Sequence, residues 1–179
     1  MLSLTLTIRR AIPSDSAQLA AVAERTFVET FAMDNSAADM AAYCGSAFGE
    51  TIQREELENP RNDIFLAERE GTIAGYAMLR SGPARPVLGI AEPIEIARLY
   101  VTRAMIGTGV GAALMQHCLD EAAAMGKDTV WLGVWEHNTL ALGFYTRWGF
   151  VDVGTYEFIL GRDHQTDRLM ARRVSGEPL

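Results

Sequence analysis

A chain of 179 residues, 49% hydrophobic and 22% charged, can bury a core of its own and falls in the single-domain range, so one domain over 1–179 is expected, with 175–179 a frayed tail. The formal charge of −7 argues against non-specific nucleic-acid binding and suits a cationic small-molecule partner, and no apolar run reaches the length of a membrane span. Cys44 and Cys118 have no close-spaced partner, and His117, His137 and His164 form no metal-ligand pattern, which points to a reducing, cytoplasmic setting without a metal.

From Leu4 the chain alternates apolar and polar and then carries Arg9-Arg10, the pattern of an edge strand and not of a signal peptide. Pro13-Ser14-Asp15 supplies a turn and an N-cap for a helix to about Phe31, with Leu19, Val22, Ala23, Phe27 and Phe31 as its buried stripe. Met33 to Pro60 is helical in tendency but broken at Asn35-Ser36 and at Cys44-Gly45-Ser46, which predicts two short helices. Asp63 to Arg69 and Thr72 to Leu79 read as strands joined at Glu70-Gly71, and Ser81-Gly82-Pro83 to Pro86 as the loop that ends the hairpin. Glu92 to Thr102 is a strand, Gly109 to Met125 a helix stopped by Gly126, Thr129 to Trp135 a nearly all-apolar buried strand, and Asn138 to Trp148 a short helix. Phe150 to Val153, Phe158 to Leu160 and Leu169 to Val174 are the closing strands, with a hairpin loop at Gly161-Arg162-Asp163. The alternation predicts an α/β domain, a mixed sheet with helices on both faces.

The stretch Ile106-Gly107-Thr108-Gly109-Val110-Gly111 lies between a strand and a helix. Alternate glycines let several backbone N–H groups converge with no Cβ in the way, and the unpaired N–H groups of the following helix add to the same anion site. A nucleotide-triphosphate loop is excluded, because Ala112-Ala113 stands where Lys-Ser or Lys-Thr would be needed. The dinucleotide fingerprint is met in form by Gly107, Gly109 and Ala112, but Thr102 to Met105 separate the loop from its strand and the loop lies past mid-chain, unlike a Rossmann turn. The third candidate guest is the pyrophosphate of coenzyme A.

The run Glu95 to Val101, the glycines 107, 109 and 111, Asn138, and Phe144-Tyr145-x-x-x-Gly149-Phe150 together resemble the GNAT superfamily of acyl-CoA-dependent N-acetyltransferases, from Ile8-Arg9 to Arg173. The superfamily's loop is written Arg/Gln-x-x-Gly-x-Gly/Ala, and its first position falls on Ile106 here. Thr26-Phe27 to Phe31, Asn35, Asp39-Met40, Tyr43, Phe48 and Glu56-Leu57 are similar to the N-terminal half of the PaiA-type polyamine acetyltransferases. The resemblance implies a mostly antiparallel mixed sheet whose central strands, ending at Val101 and near Trp135, splay to admit the pantetheine arm. It also implies acetyl-CoA as co-substrate, a small amine such as a polyamine as acceptor, no nucleic-acid or membrane partner, and a homodimer as an assembly met among relatives.

Acetyl transfer from a thioester to an amine needs a proton acceptor for the amine, donors for the carbonyl oxygen and an acid for the departing thiolate. By resemblance Glu95 is the base, directly or through a water, flanked by Ile94 and Ile96, whose burial would raise its pKa; the plainer descriptions are an ordinary solvated strand acid or a partner for Arg98. Tyr145 matches the tyrosine that protonates the coenzyme thiolate, against the plainer role of packing a helix under the sheet. Backbone groups of Leu99, Tyr100 and Val101 would serve the oxyanion and the pantetheine arm, and Ile106, Gly107, Thr108, Gly109, Val110 and Gly111 the pyrophosphate. Asn138 meets the arm or caps its helix, Phe144 packs beside the coenzyme, and Arg147 approaches the phosphates or stands as an exposed helix arginine. Phe31, Tyr43 and Trp135 are expected against the acceptor, with plain core cover the alternative for aromatics such as Tyr43 and Phe48. Two other readings stay open: a coenzyme-binding sensor without turnover, and an acetyltransferase for amino-acid, aminoglycoside or protein N-terminal amines.

Overall fold

The structure, a computed structural model, describes residues 5–83 and 93–179. Leu4, Pro86 and Glu92, which bound expected elements, lie outside the described residues. Seven strands, β1 (Leu6–Arg10), β2 (Asn62–Arg69), β3 (Thr72–Ser81), β4 (Ile94–Val101), β5 (Thr129–Trp135), β6 (Val151–Leu160) and β7 (Asp163–Arg173), form one sheet in the order β1-β2-β3-β4-β5-β7-β6. Only β4 and β5 run parallel; the other neighbours are antiparallel. This is the α/β architecture read from the sequence. β1 takes the edge its alternation predicts.

Three helices, α1 (Ser16–Phe31), α2 (Ala37–Ala47) and α3 (Glu50–Glu58), cover one face, and α4 (Val110–Ala124) and α5 (Thr139–Arg147) the other. On the first face Leu19, Val22, Ala23 and Phe27 of α1 pack on Leu66, Tyr76 and Met78. On the second, Leu114, Met115 and Cys118 of α4 meet Phe65, Ala77, Leu79 and Leu132. The β2–β3 turn falls on Glu70-Gly71, both with positive φ (53° and 73°), as a two-residue turn of type I′ requires. No helix of the described residues is long and apolar enough to cross a membrane.

Three boundaries differ from the sequence reading, each for a physical reason. Asp15 does not cap α1 with its side chain; it takes the guanidinium of Arg9 (2.8 Å) and the N–H of Ile12 (2.8 Å), and a short 3-10 turn at Pro13–Asp15 precedes the helix. Cys44-Gly45-Ser46 lies inside α2, where Met40 and Cys44 are buried in the core and hold the helix across the glycine; the break comes at Phe48-Gly49. The closing strands are two long ones, with a bulge between Asp152 and Gly154. Residues 154–157 and 163–168 carry too few apolar side chains to announce themselves, and their pairing is long-range.

Candidate active site

The sheet opens between its two parallel strands. β4 and β5 are paired only at Ile94–Val130 and Glu95–Trp131, and diverge beyond. On the far side of β4, the N–H of Thr102 donates to Ala74 (2.9 Å); alternation along this ladder turns the N–H and C=O of Leu99 and Val101 away from β3, into the opening. On β5, the N–H of Glu136 donates to Thr166 (3.1 Å), so the main-chain groups of Gly133 and Trp135 face the same opening. A cavity of about 490 Å³ runs through it, from the glycine loop at the start of α4 to an aromatic chamber under α1 and α2.

At the end beside α4, Ile106, Gly107, Gly109 and Gly111 line the cavity. Gly107 (φ 79°) and Gly109 (φ 90°) occupy left-handed backbone that side chains resist. The turn is preformed: Thr108 Oγ1 donates to the Met105 carbonyl (2.8 Å), and Arg103 clasps Glu29 of α1 through its N–H and its guanidinium (2.9 Å each). Helix geometry leaves the first N–H groups of α4 without intrahelical acceptors, aimed at the loop. Two predicted contacts fall outside the lining. Thr108 spends its N–H on Met105 (3.2 Å) and its side chain is exposed, while the Val110 side chain is fully buried in the core, which leaves only its main chain to the loop.

α5 supplies one wall. Asn138 accepts the N–H of Ala141 with Oδ1 (3.1 Å) as the helix cap and also lines the cavity, so both roles foreseen for it are compatible. Phe144 and the exposed Arg147 line the mouth. Tyr145 stands at the wall, 8% exposed. Burial, with Cys118 as a lesser influence, pushes its phenol well above the ordinary tyrosine range, so at neutral pH it holds its proton as a thiolate-protonating acid must.

Leu99, Tyr100, Phe31, Tyr43 and Trp135 all line the cavity as expected. Phe27 stacks on Tyr43 (4.5 Å between centroids), Phe31 meets Trp135 edge-on (6.1 Å) and Tyr43 meets Phe158 (5.6 Å). Arg98 lies over the Phe48 ring (5.5 Å) and its guanidinium is neutralised by Glu56 of α3 at 2.8 Å, in place of the Glu95 pairing considered above. Glu95 lies on β4 as expected but away from the cavity lining. It sits where β4 and β5 are still paired, 3.6 Å from Arg80. The lining includes residues the sequence reading missed: Tyr156, Gln165 and Asp167, from β6 and β7. His137 is exposed, against the edge of Trp135 (5.2 Å), and His117 packs on Phe65 (4.5 Å) away from the cavity. Among the described residues no His, Cys, Asp and Glu side chains group as a metal site.

The sequence profile of the Acetyltransferase (GNAT) family matches residues 25–150. The chain belongs to the GNAT acetyltransferase family. It is 37% identical over 161 residues to an uncharacterized N-acetyltransferase of Mycobacterium tuberculosis, covering 90% of this chain and 99% of that protein. It is 31% identical over 160 residues to an uncharacterized N-acetyltransferase of Lactobacillus delbrueckii (89% and 92%). In fold it is similar to the PaiA N-acetyltransferase of Thermoplasma acidophilum, solved in complex with coenzyme A, with a TM-score of 0.77 over 94% of this chain and 99% of that one at 19% identity. This GNAT member is an acetyl-CoA-dependent acyltransferase, and its open sheet is the family's fold.

Proposed function

We propose that the protein transfers the acetyl group of acetyl-CoA directly to a primary amine of a small cationic substrate, with a polyamine as the specific candidate. The observation that carries this is the single cavity joining a helix-start anion cradle, an open sheet edge and an aromatic chamber, with Tyr145 on its wall. The pyrophosphate sits on the N–H groups from Gly109 to Ala112. The pantetheine amides take the main-chain groups that Leu99, Val101 and Gly133 turn into the opening, as an added strand would. The thioester carbonyl then lies along β4, where the N–H of Leu99 or Val101 stabilises the developing oxyanion. As the tetrahedral intermediate collapses, sulfur leaves with the C–S electron pair and takes the proton of Tyr145.

Support for the polyamine comes from the PaiA-like residues of α1 to α3, the fold likeness to a PaiA enzyme and the net charge of −7. Phe27, Phe31, Tyr43, Trp135 and Phe158 offer ring faces to an alkylammonium chain. The test is thiol release from acetyl-CoA with spermidine, spermine, free amino acids, an aminoglycoside and a short peptide. Turnover with the polyamines alone supports the full reading; turnover only with another class keeps the chemistry and removes the polyamine. Binding of acetyl-CoA with no turnover on any amine removes the transferase reading.

A further inference from the structure

This inference rests on the acetyl-transfer reading and concerns the group that takes the acceptor's proton. Glu95 is outside the cavity, and among the described lining residues Asp167 is the one carboxylate. Its placement is built by three strands. Trp135 of β5, Asp167 of β7 and Tyr156 of β6 are direct register partners, so all three side chains share one face of the sheet. The contact of Trp135 with Phe31 identifies that face as the α1–α2 side, where the acceptor enters.

Asp167 is 8% exposed and accepts a hydrogen bond from Tyr156 Oη at 2.9 Å. Tyr156 reaches it by laying its ring over Gly133: a Cβ there would stand 2.3 Å from the hydroxyl and 2.8 Å from a ring carbon. Gly133 in turn faces the opening with its main chain. Trp135 and Asp167 line the cavity together with Leu99 and Tyr100 of β4. The carboxylate therefore stands one strand from the opening, in the same cavity as the proposed oxyanion donors.

We propose that Asp167, oriented by Tyr156, receives the ammonium group of the acceptor and takes its proton. One proton passes from nitrogen to Asp167; the freed lone pair forms the N–C bond while the carbonyl pair moves to oxygen. Collapse breaks the C–S bond, sulfur takes the proton of Tyr145, the second nitrogen proton returns to the phenolate through solvent, and Asp167 releases its own to solvent. Among the described residues, the charged and titratable groups that line the cavity around Asp167, or pair with one that does, come from β4, β6, α2, α3 and α5. β6 contributes Tyr156. α2 contributes Tyr43, whose phenol is raised by burial and feels the charges of Arg98, Glu56 and Asp167. β4 contributes Tyr100, whose phenol burial raises, and with α3 the mutually neutralised Arg98 and Glu56; α5 contributes Tyr145 and, at the mouth, Arg147, and among the described residues α1 contributes Phe27, Thr30 and Phe31.

The experiment is kcat/KM for an amine the wild type acetylates, from about pH 4 to 10, with coenzyme A affinity measured alongside. Asp167→Asn loses on the order of 10²–10⁴-fold at pH 7, the scale of a general base. The variant must use free amine, so its kcat/KM climbs about tenfold per pH unit toward the amine pKa, whereas the wild type, which takes up the ammonium, is flat over that range once Asp167 is ionised. Coenzyme affinity is unchanged, and Asp167→Glu restores part of the rate. Tyr156→Phe keeps the ring over Gly133 and removes one donor to the carboxylate, so the acidic limb of its profile moves to higher pH. An Asp167→Asn protein as fast as wild type, or slowed equally at every pH, overturns the proposal. Should Asp167→Asn fail to bind coenzyme A, an unmoved limb in Tyr156→Phe overturns it instead. A wild type that acetylates no amine is a different result, and removes the transferase reading itself.

Discussion

Replacing Gly133 by alanine tests how the opening is built. The new Cβ would stand 2.3 Å from Tyr156 Oη, 2.8 Å from Cε1 and 2.9 Å from Cζ, each well inside contact distance, so the ring must leave its place. Overpacking of this kind costs about 1–3 kcal/mol, and the ring movement also breaks the 2.9 Å hydrogen bond from Tyr156 to the Asp167 carboxylate, a further loss of about 1–3 kcal/mol for a bond to a charged group. The two overlap because one ring movement serves both, which sets the expected destabilisation at about 2–4 kcal/mol and the fall in Tm at roughly 5–15 °C for a chain of this length. Urea and thermal unfolding give the number. The decisive control is Gly133→Ala with Tyr156→Ala, where no ring remains to clash: the pair should couple by more than about 1 kcal/mol. A single variant as stable as wild type, or a pair whose effects merely add, would refute the packing of Tyr156 over Gly133.

Tyr145→Phe should lower kcat by on the order of 10²-fold or more while leaving the acetyl-CoA KM within about twofold; because burial raises the phenol, wild-type kcat should show no basic limb from Tyr145 below about pH 10. In the loop, Gly109→Ala forces a side chain into left-handed backbone (φ 90°) at about 1–2 kcal/mol and should weaken coenzyme binding by calorimetry. Gly111→Ala meets only ordinary contacts, with Val101 at 3.6 Å and Phe144 at 3.8 Å, and should bind nearly as well. The carboxyl of Asp15 is held below its ordinary value chiefly by the hydrogen bond from Arg9, against burial, which raises it. Its contribution is therefore complete above the unfolded value of about 3.9 and lost as pH falls through the depressed folded one. The stability gap between wild type and Asp15→Asn should be clear at pH 6 and close toward pH 2–3 in urea titrations.

The glycine-loop side of the cavity was legible because its signals are local. Glycines at 107, 109 and 111 before a helical pattern mark a tight turn at a helix start whatever the rest of the chain does, and Tyr145 came with its helix and Gly149-Phe150. Glu95 shows the limit of reading a role from strand position. Its place depends on where β4 and β5 part, which their pairing decides and periodicity does not. Asp167 and Tyr156 were invisible for a related reason: they sit in polar stretches that become strands only by pairing with each other and with β5. Nothing between Gly154 and Arg168 marks one face as cavity until Trp135, Asp167 and Tyr156 are aligned in register.

The most direct test of the account is a crystal structure of the protein with coenzyme A. The account predicts the pyrophosphate on the N–H groups from Gly109 to Ala112, the pantetheine arm between β4 and β5, and the sulfur within hydrogen-bonding reach of Tyr145 Oη. Coenzyme bound elsewhere, or in the opening with its sulfur away from Tyr145, would contradict it.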